Sequence, residues 1–377
     1  MKLKQLLRQP LASATPAALA TPTNAATSTN AAAPATPAAI AVFAAAVFLA
    51  VSTATALVSG CQPARIETYA DSLSEYKYEF YSMDTIVMLT LYSDSQSGAE
   101  SAAVEAEKEF KRICDLSDRF AAKNLSNPDI SDVYRINNAE GAWIPVSHEV
   151  MEIMEMAVNF GYMSNGAFDI GIGAVSDLWD FQSGGRVPDD DELGKTLAVG
   201  NFKNIEIDRE ASAIRVKSGV VIDLGAVAKG YATDRAVDKL RKNGIRHGIV
   251  NAGGDIYALG SKPDGTAWNV GVRHPRDTNG VIEVISVIDK SVVTSGDYER
   301  YFEQGGRRYC HILDPKTGMP ADKCISVTIV DDLSARADIF STTAFVLGEE
   351  EGEKFLNEAG GVSGAMFVDS DLNVSRY

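Results

Sequence analysis

D-L-G-A-V-A-K-G-Y at 223–231, then a helix-like segment and an apolar run that returns to N-A-G-G-D at 251–255, is the stretch from which this chain is read. Glycines let backbone amides approach a ligand closely, Lys229 adds a mobile cation, and Asp223 and Asp255 add acceptors. The group therefore reads as a cradle for a phosphate-bearing ligand. Gly225 and Gly230 bracket a short loop opening onto a helix, which places Asp223 at a strand end and Lys229 in the first turns of the helix. Each block alone is also compatible with an ordinary tight turn; the two together are more specific. It is no common nucleotide signature. G-K-T occurs at 194–196, but the first glycine of a Walker A loop would fall on Asp189, and Gly171 and Gly173 do not complete G-x-G-x-x-G.

Outward from this stretch, strands separated by turn signals are expected over 78–92, 200–222, 247–259, 268–273, 281–294 and 307–313. Helices are expected over 99–116, where Ala103, Ala106, Phe110 and Ile113 recur at helical spacing, and over 148–160, with Ser147 capping the start and Gly161 the end. Two more are expected over 226–243 and over 335–347, the latter capped by Ser334 and closed by Gly348. Runs of strands interrupted by a few helices give an α+β class: one large domain of two closely packed α+β lobes over 76–377.

The first 60 residues carry Lys2, Lys4 and Arg8, no Asp or Glu, and an apolar stretch over 38–58. That is a secretion signal, and the low-complexity segment 10–37 inside it has no separate physical account. The apolar stretch ends in L-V-S-G-C, similar to the lipobox of bacterial lipoproteins, with Cys61 as the residue to be lipidated and 61–75 as a polar tether. An uncleaved membrane anchor is the alternative, since the stretch is about long enough to span a bilayer; either way the chain is expected on the extracytoplasmic face of the bacterial cytoplasmic membrane.

Removing the leader's three cations takes the net charge from −16 to −16 − 3 = −19, which disfavours nucleic acid as a partner. Besides Cys61 there are Cys114, Cys310 and Cys324 and no C-x-x-C. Neither a zinc knuckle nor a thioredoxin-type centre is indicated, and either free thiols or a Cys310–Cys324 bridge is allowed.

Asp338 and Thr342 in A-D-I-F-S-T-T are four apart and share one helix face. A carboxylate with a hydroxyl suits Mg²⁺, completed by backbone carbonyls and phosphate oxygens; a helix-terminal Asp beside a satisfied Thr is the plainer reading. Of the four histidines, His148, His247, His274 and His311, no pair has zinc-site spacing on a helix. His311, in H-I-L-D-P-K-T-G, is the best placed for proton transfer from a hydroxyl.

Together these blocks resemble the FAD:protein FMN transferases, the ApbE-like flavin transferases formerly called thiamine-biosynthesis lipoproteins. The resemblance runs in order through S-M-D-T at 82–85, D-R-F at 118–120, S-D-V-Y-R-I-N at 131–137, G-A-F-D at 166–169, the two glycine blocks, V-G-V-R-H-P, T-S-G-D-Y-E-R-Y-F, H-I-L-D-P-K-T-G and A-D-I-F-S-T-T. It implies Mg²⁺-dependent splitting of FAD, transfer of FMN to a Ser or Thr hydroxyl of an exported target protein, and release of AMP. It further implies flavin contacts at Met83, Ala167, Phe168, Asp169, Asp223, Lys229 and Ile312, metal ligands at Asp338, Thr342 and the carbonyl of Ala226, and His311 as the base. Two departures from the family pattern are Asp84, where glycine is common, and I-G-I-G-A-V after G-A-F-D. A Mg²⁺-dependent FAD pyrophosphatase and a non-catalytic FAD-binding lipoprotein are the competing readings.

Overall fold

The computed structural model describes residues 73–377; the leader, the lipobox with Cys61 and most of the tether lie outside the described residues. At its centre an eight-stranded sheet is antiparallel at every pairing. Its strands are β1 (Ser74–Ser82), β2 (Thr85–Ser93), β6 (His247–Ala252), β7 (Asp255–Leu259), β10 (Lys290–Gly296), β13 (Ser326–Asp331), β14 (Gly364–Val368) and β15 (Val374–Arg376), in that spatial order.

The strand alternation sets which face is covered. In β2, Val87, Leu89 and Leu91 are buried while Ile86 and Met88 face outward and are exposed. Three helices cover the buried face: α1 (Gln96–Ser117), α7 (Ala228–Lys242) and α8 (Ser334–Leu347). The last of these is buried nearly all round, as a helix wedged between a sheet and other helices must be. Phe340 meets Phe160 and Phe355 edge-on at 5.1 and 5.4 Å between ring centres. Over β7, β10 and β13 the opposite face is covered by the hairpin of β8 (Trp268–Arg273) and β9 (Val281–Val287), through Trp268, Val270 and Val287. A smaller three-stranded antiparallel sheet joins β3 (Ile144–Pro145), β5 (Ala213–Val216) and β4 (Ile205–Asp208). The described residues form one compact unit, and the α+β class expected from the sequence holds.

Three local expectations are corrected. The apolar run 78–92 is two strands, β1 and β2, joined by a turn at Met83 and Asp84 that carries no glycine to announce it. The helix starting at His148, α4 (His148–Met163), has the expected Ser147 cap, whose hydroxyl accepts from Val150 N, but runs past Gly161 to Ser164. Gly161 is instead buried against a neighbour: a Cβ there would lie 2.8 Å from the Phe202 ring. Ser334 does not cap α8; it is the first helical residue, and Asp234 of α7 takes the capping role. Of the two cysteine states the sequence allows, the free one is found: the Cys310 and Cys324 thiols are free and buried, and burial pushes them up to about 11 and about 12.

Candidate functional site

The site grows from the contact of α7 with α8. Gly230, in the first turn of α7, lies so close to α8 that a Cβ would fall 2.4 Å from the Ser334 carbonyl oxygen. Lacking one, its amide donates to Asp338 Oδ2 at 3.1 Å. In a helix continued backward, that amide would have served the carbonyl of Ala226. The chain before α7 instead curls so that Val227 and Ala228 donate to Leu224 O at 3.0 and 2.8 Å. Among the described residues nothing donates to the Ala226 carbonyl, so the loop before α7 leaves it without its helical donor.

Lys229 precedes Gly230 and is ion-paired with Asp255 at the start of β7. Asp255 and Asp338 are 4% and 5% exposed. Burial pushes the Asp338 carboxyl above the usual carboxylate range, and the Lys229 charge pulls it back. Thr342, one turn beyond Asp338, has its hydroxyl 3.3 Å from Ser295 Oγ, which also sits 2.9 Å from Ser341 Oγ. A carboxylate, a hydroxyl and a free carbonyl are hard oxygen donors of the kind Mg²⁺ takes, with water and phosphate oxygens completing the octahedron. The residues fit that ion. No group of three or more His, Cys, Asp or Glu side chains among the described residues gathers as a metal cluster, so any ion here would depend on such mixed donors.

The second wall is built by backbone pairing. Asn137, at the end of α3 (Asp132–Asn137), accepts from Ile222 N at 2.7 Å and donates to Ile222 O at 3.0 Å. Asp223 N donates to Ile170 O at 2.8 Å, tying the G-A-F-D segment to the D-L-G-A block. Asp223 Oδ1 accepts from Gly225 N at 2.8 Å. Its Oδ2 lies 3.0 Å from Arg119 Nε, an ion pair off the axis of a hydrogen bond. Arg119 is held from behind by Asp177 at 2.7 Å.

His311 stands where the charges of Asp223 and Lys229 both bear on it. Burial, then the neighbouring Arg300 cation, lower its pKa to about 4, against the Arg300 carbonyl and Asp223. The ring is thus neutral at pH 7. Its Nδ1 is 3.2 Å from the Arg300 carbonyl oxygen. A carbonyl can only accept, so the proton is assigned to Nδ1 and Nε2 keeps its lone pair. That is the tautomer a base requires.

Lys229, Asp338, Thr342, Ala226, Asp223 and His311 thus fall in one neighbourhood. Ile312 follows His311 and is buried, its carbonyl accepting from Ala321 N at 2.9 Å. Ala167 and Phe168 are buried at 2% exposure each. Asp169 has both carboxylate oxygens occupied, accepting from Gly171 N at 2.7 Å and Phe202 N at 3.0 Å, so in this structure its side chain holds its own loop. Met83 is half-buried in the β1–β2 turn, next to the N-A-G-G-D turn.

Sequence reasoning gives no role to Arg119, Asn137, Asp234 or Ser295, although all four stand in or beside the quoted blocks. Their spacing signals nothing because each acts on a partner distant in the chain. Among the described residues no helix is long and apolar enough to cross a membrane.

A model of the ApbE family matches residues 83–367. The chain belongs to the ApbE family. It is 32% identical over 304 residues to a protein of Klebsiella pneumoniae named FAD:protein FMN transferase, covering 79% of this chain and 90% of that one. A protein of the same name from Treponema pallidum is 34% identical over 318 residues, with 80% and 86% covered. Among solved structures, the ApbE protein of Thermotoga maritima superposes with a TM-score of 0.73 at 32% identity, over 80% of this chain and 97% of that one. The flavin transferase ApbE of Vibrio cholerae does so with 0.68 at 25% identity, over 81% and 97%.

Proposed function

We propose that this chain is an FAD:protein FMN transferase: it moves the FMN half of FAD, with Mg²⁺, onto a Ser or Thr hydroxyl of an exported target protein and releases AMP. The observation that carries the reading is the diversion of the Gly230 amide to the buried Asp338, which leaves the Ala226 carbonyl without its helical donor. Bound by Asp338, Thr342 and Ala226, Mg²⁺ supplies charge neutralisation for a diphosphate.

The chain's own residues account for the rest. Lys229, steadied by Asp255, offers a cation to the phosphate that leaves as AMP. His311 Nε2 accepts the proton of the target hydroxyl, whose oxygen bonds to the phosphorus nearer the flavin as the bond from that phosphorus to the bridging oxygen breaks. Met83, Ala167, Phe168, Asp169, Asp223 and Ile312 surround the flavin half. Water in place of the acceptor gives FMN and AMP, the pyrophosphatase outcome.

The test is to incubate the protein with FAD, Mg²⁺ and an acceptor carrying a flavinylation threonine, reading covalent FMN by mass and AMP by chromatography. Asp338→Ala should lower AMP release about a thousandfold, roughly 4 kcal/mol of transition-state stabilisation. Full activity in that variant, or neither adduct nor AMP from the wild type, would sink the reading. Because the base must be neutral, kcat/KM should hold as pH falls through 6.5 and drop only near the His311 value of about 4. A limb near 6.5 would show that burial does not lower the His311 pKa, whereas a His311→Asn variant with the wild-type rate would remove His311 from the role.

The same reading puts the chain on the outer face of the cytoplasmic membrane, anchored by lipid on Cys61. Mass analysis of the mature N-terminus should find acylated Cys61, and Cys61→Ser should leave the protein unacylated.

A further inference from the structure

We infer that Asp234 is a positioning residue that sets the axial register of α8 against α7, and through it the alignment of Asp338 with the Ala226 carbonyl. The inference rests on the metal site proposed above. Gly230 and Asp234 are one turn apart on α7 and both face the beginning of α8. The Asp234 carboxylate accepts from Ser334 N at 2.8 Å and Ala335 N at 2.9 Å, while the Gly230 amide reaches Asp338 at 3.1 Å. The two helices are therefore clasped at two points along α8, one at its first residues and one at its metal acid.

No residue of α8's own approach does this work. Leu333 stands at the N-cap without a capping side chain, leaving the first amides to a group 100 residues upstream. A carboxylate there also meets the positive end of the helix dipole. A slip of α8 by one residue's rise, about 1.5 Å, would take Asp338 away from the Gly230 amide it meets at 3.1 Å. The helix is tied to the sheet independently: Asp331 accepts from Leu333 N at 3.1 Å and pairs with Arg336 at 2.9 Å, and Ser334 Oγ meets Ser291 Oγ at 2.7 Å. Loss of Asp234 should therefore leave α8 packed on the sheet while removing one of the two clasps that fix it against α7.

The experiment uses the full-length chain in detergent, as wild type, Asp234→Ala and Asp234→Asn. Mg²⁺ is titrated in the presence of FAD, followed both by the rise in Tm and by AMP release. For Asp234→Ala the half-saturating Mg²⁺ concentration should rise about tenfold in both readouts, the lower end of what losing a ligand's supporting hydrogen bond does to metal affinity. At saturating Mg²⁺ the KM for FAD should stay within about twofold of wild type. Asp234→Asn keeps one acceptor and should fall between. If Asp234→Ala has a lower Tm yet titrates with Mg²⁺ as the wild type does, the residue is merely structural and the inference is overturned. If Asp234→Ala does not fold, Asp234→Asn decides alone, and a wild-type titration overturns it. A wild type that responds to Mg²⁺ in neither readout defeats the metal site itself, and this inference with it.

Discussion

Two hairpin turns stand side by side at this site, both at positive φ and with opposite compositions. The β6–β7 turn is Gly253 and Gly254, at φ +64° and +102°; the β1–β2 turn is Met83 and Asp84, at +51° and +57°. Both follow the left-handed pattern that two-residue hairpin loops favour. They also touch: a Cβ on Gly253 would lie 2.3 Å from Thr85 Oγ1. For glycine such a backbone carries no steric penalty, whereas each L side chain held there costs about 1–2 kcal/mol. The glycine turn is thus built for close approach and for aiming Asp255, the next residue. The Met-Asp turn keeps side chains against a penalty, which points to a use for them in the turn itself.

The largest break in this comparison comes from the residue the glycine turn aims. Asp255 leaves that turn into β7 and holds Lys229. Asp255→Ala should lower AMP release about a hundredfold, because a cation misplaced by about 1 Å forfeits that much. The loss in stability should be smaller than the 3–5 kcal/mol of a fully buried pair, about 1–2 kcal/mol, since Lys229 is 25% exposed and Asp338 remains nearby. Urea unfolding beside the AMP assay separates the two effects. An unaltered rate would mean that Lys229 does not need Asp255.

A smaller effect should separate the two glycines. Gly253→Ala combines a left-handed residue with a clash against Thr85, so about 2–4 kcal/mol should be lost. A Cβ on Gly254 would meet nothing within 4 Å, and Gly254→Ala should lose about 1–2 kcal/mol. Equal losses would show that the approach of the two hairpins is not tight.

The same contrast explains what was legible in the sequence. Period and punctuation are local, so α1, the Ser147 cap and β8, expected and found over Trp268–Arg273, could be read directly. Glycine doublets announce a turn, and N-A-G-G-D did. The Met-Asp turn could not be read from residue type because its composition contradicts its geometry, and 78–92 therefore reads as one strand where the fold has two. The insertion of β6 between β2 and β7, the capping of α8 by Asp234 and the grip of Asn137 on Ile222 each join residues far apart in the chain. No spacing rule reaches across such distances. Asp338 and Thr342 were legible as a pair because one helix face carries both. The open carbonyl of Ala226 was not, since it depends on where the Gly230 amide goes; only the family resemblance pointed to it.

The smallest expected effects test whether the strained turn serves the flavin. Replacing either residue with glycine removes the left-handed penalty but adds freedom to the unfolded chain, about 0.4–1 kcal/mol. Met83→Gly and Asp84→Gly should each therefore raise stability by no more than about 1 kcal/mol. They should part company in binding. Met83 is half-buried and Asp84 exposed, so removing the thioether should weaken FAD binding about tenfold, the loss expected for most of a buried methionine side chain. Removing the Asp84 carboxylate should leave FAD binding within about twofold. Denaturant midpoints and flavin fluorescence titrations measure both quantities. If Met83→Gly is stabilising and binds FAD as the wild type does, the strain has no flavin-related purpose. If Asp84→Gly alone weakens binding, the carboxylate, standing where the family commonly has glycine, is the group the turn retains for the ligand.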